Sequence, residues 1–166
     1  MKVLWAPWRM TLISAPKSPG CIFCKLPRLQ APRENLVLAA DRSTVVMLNR
    51  FPYNSGHLMV APRRHVADLE RLRPAERADM GEKLAHAVSV VRRVLEPDGL
   101  NVGLNLGAAA GAGIADHLHW HVVPRWAGDT NFMPTLASVK VMPEHLLETY
   151  DRLKPGFAAR GRTRRR

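Results

Sequence analysis

The apolar positions along the chain alternate between strand-like and helix-like periods. Leu36–Ala39 and Thr44–Leu48 are short apolar runs separated by Ala40-Asp41-Arg42-Ser43, a polar break of the kind that turns a chain between strands. Asn49–Gly56 reads as a loop, and His57–Ala61 as a third strand ahead of Pro62-Arg63-Arg64-His65. The period then changes. Within Pro74–Leu95 the residues Leu84, Val88, Val91 and Leu95 recur at steps of four, three and four, with Arg77, Lys83, Arg92 and Arg93 on the wet side. Pro74 suits the first turn of that helix, and Pro97-Asp98-Gly99 closes it. Leu100–Leu106 alternates again, placing Asn101, Gly103 and Asn105 on one face and Leu100, Val102, Leu104 and Leu106 on the other. His117–Val123 is a fifth strand, expected to end at Pro124, and Pro143–Leu153 is a closing amphipathic helix with Leu146, Leu147 and Tyr150 inward. About five antiparallel strands with two main helices make an α+β domain. It spans residues 21–153, between an irregular Pro- and Trp-rich arm (1–20) and a basic tail (154–166), with no internal repeat.

Composition narrows the class. A chain of 166 residues with 46% hydrophobic content is long enough for one real core. No apolar run approaches the roughly 20 residues of a membrane span, and the first residues lack the apolar core of a secretory signal, so a cytoplasmic location is expected. Trp5 and Trp8 in the arm are large apolar groups that must dock, either on their own subunit or across a dimer. A formal charge of +11 favours polyanionic ligands. Part of it sits in Arg160-Gly161-Arg162-Thr163-Arg164-Arg165-Arg166, which is expected to be solvated and to touch nucleic acid only non-specifically.

The candidate chemistry sits in His117-Leu118-His119-Trp120-His121. In a strand, all three imidazoles emerge on one side while Leu118, Trp120 and Val122 face a core. Chance would bury several imidazoles with nothing to satisfy them. A pure metal site is also excluded, because three imidazoles on one strand span roughly 13 Å and at most two can share an ion. Upstream, Asn105 and the Gly/Ala loop to Gly113 offer close backbone approach and amide N–H groups to an anion, without the Lys and Ser/Thr of a nucleotide-binding P-loop. Cys21-Ile22-Phe23-Cys24 brings two thiols to one point, as a zinc knuckle or a redox pair does. For zinc, two further ligands are required, and His65 and His117 are the candidates.

His-Leu-His-Trp-His-Val-Val at 117–123, with Asn105, the Gly/Ala loop, Cys21-Ile22-Phe23-Cys24-Lys25 and Asn54-Ser55-Gly56-His57, resembles the histidine-triad family of nucleotidyl hydrolases and transferases. The resemblance runs from about Trp5 to Leu153. Within the family, Leu4-Trp5-Ala6-Pro7-Trp8-Arg9 and Gly128-Asp129-Thr130-Asn131-Phe132-Met133 are most similar to bacterial diadenosine-tetraphosphate phosphorylase-like members. The resemblance implies an antiparallel sheet joined to that of a second subunit in a homodimer, and a dinucleoside polyphosphate or adenine nucleotide as ligand. It implies that His119 attacks the α-phosphorus, that His121 holds a phosphate or leaving-group oxygen, and that His57 supports the triad. It further implies that Asn49 holds ribose hydroxyls, and that Cys21, Cys24, His65 and His117 hold a structural zinc. Phe23 is expected to stack on the base. Asn105 is expected to border the nucleotide, and Gly111, Ala112 and Gly113 to present amides to phosphate. One departure matters: Ala112-Gly113-Ile114 stands where many members carry Gln followed by Ser or Thr, or a Ser near Gly113. Phosphate recognition is thereby left to the backbone. Phosphate is marginally favoured over water as the acceptor, and a phosphoramidate substrate and a purely nucleotide-binding role stay open as alternatives.

Overall fold

Five strands form one antiparallel sheet in the order β1-β2-β3-β5-β4: β1 (Val37–Ala40), β2 (Thr44–Leu48), β3 (Leu58–Pro62), β4 (Gly99–Leu104) and β5 (Trp120–Arg125). Among the described residues three α-helices accompany it: a single turn α1 (Ile22–Lys25), the long α2 (Pro74–Leu95) and α3 (Leu146–Leu153). The computed structural model describes residues 20–129 and 144–158. The arm with Trp5 and Trp8, Thr130–Pro134, the expected helix start at Pro143 and the arginine run from Arg160 lie outside the described residues.

Period-two alternation sorts the side chains onto two faces. On one, Leu38, Val46, Leu48, Leu58, Val60, Leu118 and Val122 pack against Met80, Ala87, Val90 and Val91 of α2 and against Tyr150 and Leu153 of α3. Leu84 and Val88 are partly buried at the margin of the same core. On the other face, Val37, Val45, Met47, Met59 and Ala61 gather round Phe23 of α1. His121 stands opposite Met59 in the β3–β5 register and so shares this second face. The fold therefore places α2 and α3 on one side of the sheet, and α1 with the triad histidines on the other.

Several boundaries differ from the sequence expectation, each for a local reason. β1 begins at Val37 because Leu36 takes a positive φ of 61° and turns the chain into the strand. His57 precedes β3: its carbonyl accepts from the amide of Asn49 at 2.9 Å, closing the loop between β2 and β3. β4 stops at Leu104, leaving Asn105 and Leu106 beyond the ladder. The triad segment joins the sheet only from Trp120, since the carbonyl of Pro62 accepts from the His117 ring (2.8 Å) and Leu118 N donates to Val66 O (2.7 Å). At its far end β5 runs through Pro124 to Arg125. Beyond Val122 it is paired with β4 alone, so a residue without N–H is tolerated. Residues 154–158, expected to open the tail, instead form the 3-10 turn Lys154–Phe157, with Phe157 buried in the core and Lys154 Nζ donating to Leu38 O at 2.8 Å.

Gly56 fills a position no other residue would. Its φ is +76°, and a Cβ there would collide with Leu95 Cδ1 and lie 3.2 Å from Pro124. The β2–β3 loop is thus pressed onto the end of α2 just before His57.

Candidate active site and metal centre

His57, His119 and His121, buried or half-buried, lie in ring-to-ring contact across the second face of the sheet, while buried His117 contacts His65, and hydrogen bonds to their neighbours fix the tautomers. A carbonyl only accepts, so His119 Nδ1, 2.7 Å from His117 O, carries the proton and Nε2 keeps the lone pair. His57 is set the opposite way. The amide of Tyr53 donates to its Nδ1 at 3.0 Å, so its Nε2–H donates to His121 Nδ1 at 2.9 Å. His121 must then carry its proton on Nε2, a buried atom without a hydrogen-bond partner among the described residues. The His119 and His121 rings are T-shaped with centroids 4.9 Å apart. A free lone pair thus stands beside a free N–H donor.

Desolvation keeps both rings neutral. Burial lowers the pKa of His119, and burial followed by the repulsion of His119 takes His121 down to about 4. At neutral pH both rings are therefore uncharged, His119 with a lone pair on Nε2 and His121 with a proton there.

The first triad histidine belongs to another cluster. His117 Nε2–H donates to Pro62 O, which leaves the Nδ1 lone pair facing Cys21 Sγ at 3.2 Å, Cys24 Sγ at 3.6 Å and His65 Nδ1 at 3.1 Å. All four ligand atoms lie within 4.8 Å of one another. Edges of this length match a tetrahedron with metal–sulfur distances of about 2.3 Å and metal–nitrogen distances of about 2.0 Å. Cys₂His₂ is a zinc-type donor set, and four protein ligands leave no open position. Burial and the neighbouring Cys21 raise the pKa of the Cys24 thiol. The residues fit a closed metal site. His65 is held on its approach by Arg64, whose guanidinium makes paired bonds to Glu76 at 2.8 and 2.7 Å at the start of α2.

The expected nucleotide contacts are distributed differently. Phe23 is a correction: it is 0% exposed, tilted against His117 and His119 with centroids 5.0 Å away, so it forms the floor under the histidines and has no open face for a base. Asn49 Oδ1 accepts from Phe51 N at 2.9 Å, which uses its carbonyl to shape the loop. Asn105 Nδ2 donates to Gly111 O at 3.4 Å and so braces the Gly/Ala loop. That loop is the 3-10 turn Ala108–Ala110 between Gly107 (φ 82°) and Gly111 (φ 90°), with Ala112 half-buried and Gly113 exposed. Beside the triad lies a groove of about 470 Å³ bordered by Tyr53, Asn101, Asn105, His121 and Arg125. Sequence reasoning attached no role to Tyr53, which stacks on His57 at 4.7 Å, nor to Asn54 and Asp129. The last two lie within motifs that carried the family resemblance, so the signal was present without a function.

A family model described as HIT domain matches residues 30–128. The chain belongs to the HIT family. It is 44% identical over 155 residues to an AP-4-A phosphorylase of Mycobacterium tuberculosis, a match covering 88% of this chain and 79% of that one. Among solved structures, a zinc-bound histidine triad family protein from Mycobacterium smegmatis is 28% identical, with a TM-score of 0.63 over 84% of this chain and 94% of its own. A HIT-like protein from Bartonella henselae shares the fold at a TM-score of 0.61 and 19% identity, covering 76% of this chain and 92% of its own. Among the described residues no HIT-family helix of this chain is long and apolar enough to cross a membrane.

Proposed function

We propose that this HIT protein cleaves dinucleoside polyphosphates of the diadenosine tetraphosphate type by nucleotidyl transfer, with inorganic phosphate as acceptor. The observation that carries the reading is the tautomer pairing: a lone pair on His119 Nε2 beside a proton on His121 Nε2. The 44% identical AP-4-A phosphorylase supports the substrate class. In the first step His119 Nε2 attacks the α-phosphorus, the N–P bond forms, and the P–O bond to the remaining polyphosphate breaks. His121 Nε2–H donates a hydrogen bond to the departing oxygen, where charge develops. Diadenosine tetraphosphate would leave as ATP and an adenylyl group on His119. A phosphate oxygen then attacks that phosphorus, the N–P bond breaks, and ADP leaves with His119 neutral again.

The metal centre would hold zinc through Cys21 and Cys24 Sγ and through Nδ1 of His65 and His117; the zinc-bound relative supports that choice. Zinc with four protein ligands supplies cross-linking rather than a reactive site. A homodimer would join two sheets along β4. β4 borders only β5 and exposes Val102, with Leu106 exposed just beyond it, whereas at the other edge the carbonyls of Val37 and Leu38 accept from Tyr150 Oη and Lys154 Nζ.

The reading is tested by mixing the protein with diadenosine tetraphosphate without phosphate, quenching, and measuring intact mass. The expected result is one added adenylyl group on the wild type and none on His119→Ala. Equal labelling of both proteins would overturn it.

A further inference from the structure

We infer that Asn54, anchored by Asp129, is a positioning residue that sets the His57–His121 relay; the inference rests on the proposed transfer chemistry. Asn54 is 6% exposed. Its Nδ2 donates to Asp129 Oδ2 at 2.8 Å and to Pro124 O at 3.0 Å, so both amide hydrogens are spent on the end of β5 and the turn that follows. Its own carbonyl accepts from His57 N at 3.1 Å. The side chain therefore ties the β2–β3 loop to the strand that carries His121, while the backbone fixes His57 in the same turn.

Asp129 is built for this grip. Its side chain is 8% exposed, and it also accepts from Arg125 Nε at 2.6 Å, Arg125 Nη2 at 2.9 Å and Trp126 N at 3.2 Å. Arg125 is held in turn by Asn101 Oδ1 at 3.0 Å, which links the assembly to β4. Hydrogen bonds to an ionised acceptor are the stronger kind, and a partly buried cluster of them holds one geometry. The geometry matters because the relay depends on direction. Tyr53 N must reach His57 Nδ1 for His57 to donate to His121, and only then does His121 present a proton at Nε2. Gly56, pressed on Leu95 and Pro124, allows no slack in the same turn. Loss of the Asn54 grip frees the loop to swing, breaks the tautomer sequence and leaves His121 free to protonate either nitrogen.

The test compares the wild-type protein with Asn54→Ala and Asp129→Asn. The ring-nitrogen NMR shifts of His121 are measured alongside steady-state turnover of diadenosine tetraphosphate in phosphate buffer. In Asn54→Ala, kcat should fall about tenfold to a hundredfold with KM within about twofold, and the His121 signals should move from a single Nε2–H tautomer to a mixture. Asp129→Asn retains an oxygen acceptor for Asn54 and should preserve the tautomer and most of kcat. Gly156→Ala, whose Cβ would press on Val90 away from the site, controls for general destabilisation and should leave the tautomer unchanged. An unchanged His121 tautomer in folded Asn54→Ala would overturn the inference whatever the turnover. If Asn54→Ala does not fold, Asp129→Ala takes its place, with a tautomer mixture expected and a single tautomer overturning the inference. Absence of turnover in the wild type would instead count against the proposed reaction, while the NMR arm would still decide the positioning role.

Discussion

At the residue scale the protonation of His121 follows from its neighbours. The His57 N–H fills Nδ1, and burial then makes a second proton costly, which places the His121 pKa at about 4, below its ordinary 6.5. The folded state therefore binds fewer protons than the unfolded chain between those values. His121 leaves stability whole above about pH 6.5 and draws it down as pH falls towards 4. His121→Asn should accordingly flatten the dependence of the thermal midpoint on pH across this window, relative to the wild type; calorimetry at half-unit steps checks it, and identical slopes would contradict the assignment. His119 shows how far residue identity alone carries the argument. Its spacing placed it correctly on the histidine face, but which nitrogen is free depends on the carbonyl of His117, and no sequence pattern encodes that bond.

At the scale of elements, the turn between β1 and β2 illustrates a feature legible in outline only. Ala40-Asp41-Arg42-Ser43 reads as a polar break, yet the carboxylate of Asp41 does more than interrupt a pattern. It accepts from Ser43 N at 3.0 Å, Thr44 N at 2.7 Å and Thr44 Oγ1 at 3.0 Å, and pairs with Lys83 of α2 at 2.7 Å. Burial alone would raise its pKa. The bond from Lys83 and those from the Thr44 and Ser43 amides outweigh burial and hold it at about 2. The ordinary carboxylate value is near 3.9, so the stability contributed by Asp41 is complete above pH 4 and lost as pH falls through 2. Asp41→Asn should lower the thermal midpoint at pH 7 and narrow the gap from wild type as acid titration proceeds. Similar logic explains the boundaries. Periodicity located α2 at Pro74–Leu95 because a 22-residue amphipathic pattern is long and regular. It misplaced the start of β5 because the His117 ring, rather than a strand amide, occupies the Pro62 carbonyl. Phe23, expected to stack on the base, is instead fully covered, because its ring packs between the sheet and the histidines.

At the scale of the molecule, the Cys₂His₂ cluster that could hold a metal and the proposed reactive pair meet in one segment. His117 gives its ring to the Cys₂His₂ group and its carbonyl to His119, so whatever fixes the first also orients the second. Chelation at neutral pH should lower the thermal midpoint, and zinc should restore it with one equivalent per chain by elemental analysis. A midpoint indifferent to chelator would refute a structural metal. The four clustered side chains, Cys21 and Cys24 at α1, His65 after β3 and His117 before β5, are the four named from the sequence, and the fold brings them to one point. The account as a whole stands on the reaction. Purified protein would be incubated with diadenosine tetraphosphate in matched buffers with and without phosphate, and the products resolved by ion-exchange chromatography. The account predicts ADP and ATP in equal amounts, with sustained turnover only when phosphate is present. AMP formed equally in both buffers would contradict phosphate as the acceptor, and an untouched substrate in both would contradict the proposed reaction itself.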